Sequence, residues 1–213
     1  MNFTETEEYK KLVEKYPLLR RAKECEAGLK KETYIIVDTE TTGLDPIQNE
    51  IIEVAALKIK GDEILDSFHH LINIHKPIPK EIERLTGISQ DMVDDGDDKN
   101  LVLEEFVQFV GDTTLVAHNA DFDLGFLKNH VKLAANKEVN NRALCTLKLS
   151  RKFIHGLVNY KLMTVADHFK VPTPTLHRAM ADVEITHQVW MHMIEVLQGK
   201  GYSTIEKVLS TQG

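Results

Sequence analysis

Short apolar runs rich in β-branched residues alternate along the chain with longer stretches of amphipathic pattern. Five of the runs predict strands, namely TYIIV from Thr33, IIEVAALKIKG, EILDSFHHLINI, TTLVAHN and ALCTL. The first three follow one another closely and predict a meander, whereas the last two alternate with helical segments. This order is typical of a mixed sheet covered by helices, so we expect an α/β or α+β architecture with five strands.

Helical patterns occupy the remaining segments. PKEIERLTG predicts a short helix that ends at Gly87, residues 94–100 predict an exposed acidic loop, and LVLEEFVQFVG predicts an amphipathic helix. A further helix is expected to begin with Asp121 as its N-cap and Asp123 in its first turn. Three more helices are predicted, near 147–154, 161–169 and 178–197.

The first 31 residues place charged and apolar positions at three- and four-residue steps, with an interruption at Pro17. They predict an N-terminal helical extension, which either packs on the domain or serves as a docking arm for a partner. Residues 32–197 form the predicted main domain, and residues 198–213 form a short C-terminal tail.

Composition narrows the class of protein. The 213 residues suffice for one domain with its own core, and 33 acidic against 26 basic residues give a net charge of −7. That charge argues against long-range attraction to duplex DNA, but it leaves room for a nucleic-acid substrate bridged by metal ions. The two cysteines form no C-x-x-C motif, and no apolar run approaches the roughly 18 residues of a membrane span. We therefore expect a reducing, cytoplasmic location with no membrane role.

Two acidic residues end the first predicted strand. Asp38 and Glu40 lie two positions apart in VDTETTGL, so their side chains project from the same face of the strand. Two carboxylates on one face repel each other unless a cation lies between them, and hard cations such as Mg²⁺ and Mn²⁺ prefer oxygen ligands. The pattern indicates either a metal site or an edge turn whose acids point into water.

Two later motifs bring further acids to the same end of the sheet. In HNADFD a strand ends and a helix begins, so Asp121 and Asp123 are either capping acids or additions to the site. In HRAMAD, Asp182 falls in the first turns of the final helix. Five helical positions would place His177 and Asp182 about 140° apart, so His177 must lie on the entry loop to reach the same site.

Taken in order, VDTETTGL, HNADFDLGFL and HRAMAD resemble the three exonuclease motifs of the DnaQ-like, DEDDh 3′→5′ exonucleases. This family includes the proofreading subunit of bacterial replicative polymerases. The resemblance extends from about Tyr34 to Trp190 and also covers IIEVAAL, LTGI and YKLMTVADHF. It implies a ribonuclease H-like α/β fold, with a mixed five-stranded sheet flanked by helices.

The resemblance also implies roles for individual residues. The carboxylates of Asp38, Glu40, Asp123 and Asp182 would organise two divalent cations, Mg²⁺ or Mn²⁺, and His177 would be the general base. Hydrolysis of a phosphodiester needs an activated water, in-line attack and stabilisation of the leaving 3′-oxygen, which two cations about 3.5–4 Å apart can supply. A histidine that titrates near neutrality can take the proton from the water.

A second set of residues is implied to bind substrate: Thr41, Thr42, Leu44, Thr86, Asn119 and Phe122. The first three match the segment that receives the 3′-terminal nucleotide, and Leu44 is expected to act as an apolar wedge against the last base. Glu53 lies in a family-like segment but outside the ligand set, and His118 is left out of the catalytic set.

The expected function is a 3′→5′ exonuclease that releases nucleoside 5′-monophosphates from DNA 3′ ends in proofreading, repair or degradation. An RNA 3′-end trimming exoribonuclease would use the same site, and a catalytically silent nucleic-acid-binding module would keep the fold. The expected partners are single-stranded DNA or frayed 3′ ends. RNA, and a DNA polymerase or another replication protein, remain open as further partners.

One stretch is strongly basic although the chain is acidic. From Arg142 to Arg178 the sequence contains seven basic residues and only one acidic residue, Asp167. This stretch either lines the path of a phosphate backbone or forms a solvated helical face.

Overall fold

A computed structural model of the chain describes residues 28–173 and 178–212. Its sheet contains the strands β1 Thr33–Thr41, β2 Ile51–Lys60, β3 Glu63–Asn73, β4 Asp97–Asp98, β5 Thr114–Ala117 and β6 Ala143–Cys145. Their order across the sheet is β4-β3-β2-β1-β5-β6. The strands β1, β2 and β3 pair antiparallel as a meander, whereas β5 lies parallel to β1 and β6 lies parallel to β5. The predicted mixed sheet of an α/β fold is therefore confirmed.

The sheet has six strands, and the predicted number of five is wrong. The additional strand β4 lies within residues 94–100, which the sequence analysis assigned to an exposed acidic loop. Its two residues are exposed aspartates, so it shows none of the apolar pattern that identifies a strand. Gly96 allows the approach to β3, because a Cβ at this position would lie 2.9 Å from the backbone nitrogen of Asn73.

Eight α-helices flank the sheet within the described residues: α1 Lys80–Thr86, α2 Gln90–Asp94, α3 Lys99–Val110, α4 Ala120–Ala135, α5 Thr146–Phe153, α6 Leu162–His168, α7 Ala179–Gly199 and α8 Ile205–Leu209. Gly87 ends α1 in the left-handed conformation, as the sequence predicts. The predicted N-cap of α4 is wrong: Asn119 caps this helix with φ of 75°, and Asp121 already lies in the first turn. Asparagine tolerates this backbone conformation better than most residues, which explains the earlier start.

The core consists of two apolar layers, one on each face of the sheet. Ile35 and Val37 of β1 belong to the layer that includes α3 and α4, whereas Tyr34 and Ile36 belong to the layer under α7. This alternation explains the continuous apolar run in β1, since the strand is buried on both faces. Asp38 continues the face towards α7, and Thr39 continues the opposite face towards α4.

The predicted helical extension over residues 1–31 lies mostly outside the described residues, as does His177. Its last described part is a short 3₁₀ turn over Leu29–Lys31, and Leu29 is fully buried in the layer under α7. Among the described helices, none combines the length and apolar character that crossing a membrane requires.

Candidate active site

Three carboxylates from two elements converge at the end of β1. Oxygen atoms of Asp38, Glu40 and Asp182 lie within 4.8 Å of one another. Asp38 and Glu40 come from the same face of β1, and Asp182 comes from the first turn of α7, which packs on that face. The predicted placement of Asp182 near the start of the final helix agrees with this geometry.

Asp123 reaches the same cleft from α4 on the other side of β1. The pairing of β1 with β5 extends only to Ile36, and three residues later the backbone N–H of Thr39 donates to Asp123 Oδ1 at 3.0 Å. The hydroxyl of Thr39 donates to the same oxygen at 2.8 Å. These two bonds fix a buried carboxylate at the start of α4 beside the β1 acids.

The four acids share one cleft with a volume of about 250 Å³. Its lining residues are Asp38, Thr39, Glu40, Leu85, His118, Phe122, Asp123 and Asp182. The structure thus brings together all four acids that the sequence analysis selected, from three separate parts of the chain.

The electrostatics of the cleft favour positive charge. Burial, followed by the charges of Asp123 and Asp182, raises the pKa of Asp38 well above its usual range. The same kind of environment raises the pKa of Glu40 to about 8, and burial raises the pKa of Asp123 to about 7 despite its bonds from Thr39. Carboxylates at this separation cannot all be ionised cheaply without a cation. The set offers only hard oxygen donors, so its chemistry fits a divalent cation of the Mg²⁺ class.

A fifth carboxylate, Glu53, anchors α7 from β2. Its side chain is fully buried and accepts hydrogen bonds from Arg178 and from the backbone N–H of Ala179, the first residue of α7. The second bond satisfies one of the N–H groups that a helix start leaves without an intrahelical partner. Because Asp182 lies one turn further along α7, this contact also sets where Asp182 meets β1.

His118 is the histidine that lines the cleft within the described residues. Its Nε2 lies 2.9 Å from the carbonyl of Tyr160, which can only accept, so Nε2 carries the proton and Nδ1 accepts from the Thr146 hydroxyl at 2.9 Å. Burial lowers the pKa of His118 to about 4, so the ring is neutral at pH 7. With both nitrogens engaged, His118 ties β5 to α5 and to the loop before α6, and it does not present a free base.

The last residue of β1 and the loop after it carry three of the predicted substrate-binding residues, Thr41, Thr42 and Leu44. The Thr41 side chain is buried and donates to the carbonyl of Gly43 at 2.7 Å, and Thr42 exchanges hydrogen bonds with the backbone of Glu50. A Cβ on Gly43 would lie 2.6 Å from the Asn49 side chain, so a larger residue here would require Asn49 to move. The turn presents Leu44 to solvent with 84% of its surface exposed.

The other three predicted substrate-binding residues lie in different surroundings. Phe122 lines the acid cleft, and Asn119 lines a neighbouring cavity. Thr86 is buried, and its hydroxyl donates to the Ile82 carbonyl and accepts from the backbone of Ile88, so the structure does not bring it into the cleft. Its neighbour Leu85, which is 60% exposed, lines the cleft instead.

Sequence reasoning missed Leu85 and the bridging role of Thr39. An exposed leucine beside a helix-ending glycine is a weak signal, because single apolar side chains on a surface are common. Thr39 lies between Asp38 and Glu40, and strand alternation alone could have placed it towards the opposite helix.

Comparisons with known proteins agree with this geometry. The family model described as Exonuclease matches residues 35–190. The chain is 41% identical over 187 residues to the PolC-type DNA polymerase III of Caldanaerobacter subterraneus subsp. tengcongensis, a match that covers 88% of this chain and 13% of that protein. It is 36% identical over 165 residues to the DNA polymerase III subunit epsilon of Aquifex aeolicus, covering 78% of this chain and 82% of that protein.

Among solved structures, Exonuclease X in complex with 5′ overhanging duplex DNA matches with a TM-score of 0.63 and 27% identity, over 84% of this chain and 99% of that chain. The chain spans only 13% of the length of the PolC-type relative but most of the epsilon subunit. The exonuclease family depends on divalent metal ions, and the cleft offers an acidic cluster that can hold one. The chain belongs to this exonuclease family, as a member of its DnaQ-like 3′→5′ branch.

Proposed function

We propose that this protein is a 3′→5′ exonuclease that releases nucleoside 5′-monophosphates from the 3′ ends of DNA. The observation that carries the proposal is the convergence of Asp38, Glu40 and Asp182 within 4.8 Å, in a cleft that Asp123 completes. The relatives named as polymerase III proteins support a role in DNA replication, with a polymerase as partner. The intact acid set argues against a silent binding module.

Two divalent cations, Mg²⁺ or Mn²⁺, are the cofactors that suit these donors. Asp38, Glu40, Asp123 and Asp182 would hold them, and the bonds from Thr39 orient Asp123 for this role. The chemistry that such a pair supplies when bound is activation of a water and stabilisation of the leaving 3′-oxygen. The raised pKa values of Glu40 and Asp123, caused first by burial and then by neighbouring acids, support this assignment, since bound cations would favour the ionised form of these carboxylates.

His177 is assigned as the general base from the sequence motif. Within the described residues, His118 does not suit this role, because Tyr160 and Thr146 engage its two nitrogens. A base must hold a free lone pair within hydrogen-bond reach of the attacking water.

The 3′-terminal nucleotide of the substrate is assigned to the wall of the cleft beside the turn after β1. The exposed side chain of Leu44, together with Phe122 and Leu85, offers apolar surface to the terminal base. Thr41 and Thr42 fix the turn that presents Leu44. The preferred substrates are single-stranded DNA and frayed 3′ ends, because a free terminal base can enter the cleft without the cost of unpairing.

The test is a matched pair of substitutions in the first turn of α4. Asp123→Asn should reduce hydrolysis of end-labelled single-stranded DNA in Mg²⁺ by roughly 10²-fold or more, because it removes a charge from the cleft. Asp121→Asn removes an exposed acid that pairs with Lys148, so its rate should equal that of the parent. The same assay with RNA, and with duplex DNA carrying a mismatched 3′ end, ranks the substrates. Absence of metal-dependent nucleotide release by the parent would refute the proposal.

A further inference from the structure

A second cavity of about 470 Å³ adjoins the acid cleft. Its polar lining comes from His118, Asn119, Arg151, Asn159, Tyr160 and Lys161. His118 lines both spaces, so the two cavities meet at this side chain. The Nε2–H bond from His118 to the Tyr160 carbonyl holds the far wall of the second cavity against the end of β5. The acid cleft and the second cavity are therefore neighbours that share the His118 side chain.

The seven basic residues from Arg142 to Arg178 differ in whether their side chains have a hydrogen-bond or ion-pair partner. Arg142 pairs with Glu206, Lys148 with Asp121, and Arg178 with Glu53, and Lys152 donates to the carbonyl of Thr211; these are the four engaged cations. Arg151 and Lys161 have no carboxylate within 4.0 Å among the described residues, and both line the second cavity. Lys170, the seventh basic residue, also has no carboxylate within 4.0 Å among the described residues, but like Lys152 it lies outside the cavity lining. Two of the four cations without a carboxylate partner thus lie beside the acid cleft.

The cavity also has apolar surface, and its wall is held in place. Leu147 and Leu162 line it together with Tyr160, whose hydroxyl donates to the Ile154 carbonyl at 3.0 Å. The Asn159 side chain accepts from the backbone N–H of Lys161 at 3.0 Å and so shapes the loop. Apolar surface and two cations in one cavity match a nucleotide, which has a base that stacks and a phosphate that carries charge.

We propose that this second cavity binds the nucleotide immediately 5′ of the scissile phosphate, with Arg151 and Lys161 on its backbone phosphate. The inference rests on the proposed function, because the scissile phosphate must lie at Asp38, Glu40 and Asp182. With the terminal nucleotide on the side of Phe122 and Leu85, the preceding nucleotide leaves the cleft across His118. The occupant is a single DNA strand, since an acidic chain needs such a local basic groove to hold a polyanion near its own carboxylates.

The test compares a substrate that fills both cavities with one that fills only the acid cleft. The first is a 5′-fluorescent single-stranded DNA dodecamer, and the second is the 4-nitrophenyl ester of thymidine 5′-monophosphate. Arg151→Ala and Lys161→Ala should each raise KM for the dodecamer roughly three- to tenfold. Neither should change hydrolysis of the nitrophenyl ester. The matched control is Lys152→Ala, which removes the same charge one residue from Arg151 but outside the cavity lining, and it should behave as the parent.

A binding measurement separates this proposal from the proposed function. Anisotropy of the dodecamer in Ca²⁺ gives the affinity across a salt series. Loss of one phosphate contact should reduce the slope of log K against log salt by about 0.7. Unchanged affinity and slope in both cavity variants would overturn the cavity assignment, as would equal losses on the nitrophenyl ester. A parent that binds the dodecamer but hydrolyses neither substrate would refute the nuclease function, while the binding data would still decide the role of the cavity.

Discussion

Glu40 and Glu53 are direct partners across β1 and β2, yet their environments shift their pKa values in opposite directions. Burial and neighbouring acids raise the pKa of Glu40 to about 8. Burial also acts on Glu53, but the hydrogen bonds from Arg178, His69 and the Ala179 N–H outweigh it and lower the pKa of Glu53. One glutamate is thus left for a cation to neutralise, and the other is neutralised by the protein.

Replacing Glu53 should therefore affect cation binding as well as stability. Glu53→Gln weakens the anchor of α7, so we expect a lower melting temperature and a several-fold higher Mn²⁺ concentration for half-maximal activity, because Asp182 lies one turn along the same helix. Val189→Ala is the control, since it opens a space under α7 without altering its first turn. Activity titrations with Mn²⁺ on both variants check this. A Glu53→Gln protein with parental Mn²⁺ dependence would limit Glu53 to a purely structural role.

In the absence of divalent cations, the free energy of unfolding should fall as the pH rises. The folded protein holds protons on Glu40 and Asp123 up to pH values of about 8 and 7, whereas the unfolded chain releases them near the ordinary values of 4.5 and 3.8. For such raised pKa values, stability is greatest at low pH and is lost as pH rises towards the folded value.

The fall is best measured between pH 6.5 and 8.5. Below this range the lowered pKa of His118 also changes the free energy of unfolding with pH, in the opposite direction. Urea unfolding in EDTA should show a falling free energy of unfolding across this window. Mg²⁺ or Mn²⁺ should reduce the fall, and Glu40→Gln should remove part of it. A metal-free protein whose stability rises over the same window would contradict the electrostatic account of the cleft.

Leu44 should matter most when the 3′ end is paired. Leu44→Ala removes an exposed side chain that we assign to the terminal base, so activity on blunt duplex DNA should fall about three- to tenfold more than activity on single strands. Ile47→Ala serves as the control, because Ile47 is 82% exposed in the same turn. Thermal melting should be parental for both variants. Equal losses on paired and single-stranded ends would remove the wedge assignment.

His177→Ala should lower turnover by roughly 10²–10⁴-fold while preserving Mn²⁺ binding. The parental rate should fall below neutral pH, since a histidine near its ordinary pKa of about 6.5 loses its free lone pair on protonation. Single-turnover rates against pH at saturating Mn²⁺ measure both effects, and His192→Ala, at an exposed position of α7, controls for the loss of a histidine outside the cleft. A variant with near-parental turnover would exclude His177 as the base.

Local signals placed the four acids on their elements, and the resemblance to the exonuclease motifs selected them as one site. Asp38 and Glu40 end an apolar strand, and Asp123 and Asp182 begin amphipathic helices, so each acid belongs to a short pattern that also fixes its element. Local signals failed where distant residues decide the structure. Glu53 and Arg178 are 125 positions apart, and no periodicity indicates their contact. Two exposed aspartates form β4 only because a neighbouring strand is available to pair with them.

The central position of β1 has a consequence for hydrogen exchange. This strand has neighbours on both sides and apolar layers on both faces, so its amide hydrogens are expected to exchange only through global opening. The first turn of α7 lies at a helix end, and although Glu53 anchors it, we expect its amides to exchange faster than those of β1. A cation bound between Asp38 and Asp182 would link β1 to the first turn of α7. Opening of this turn would then require loss of the cation. Protection of the amides near Asp182 should then rise towards that of β1, so exchange at this turn reports cation occupancy without any substrate.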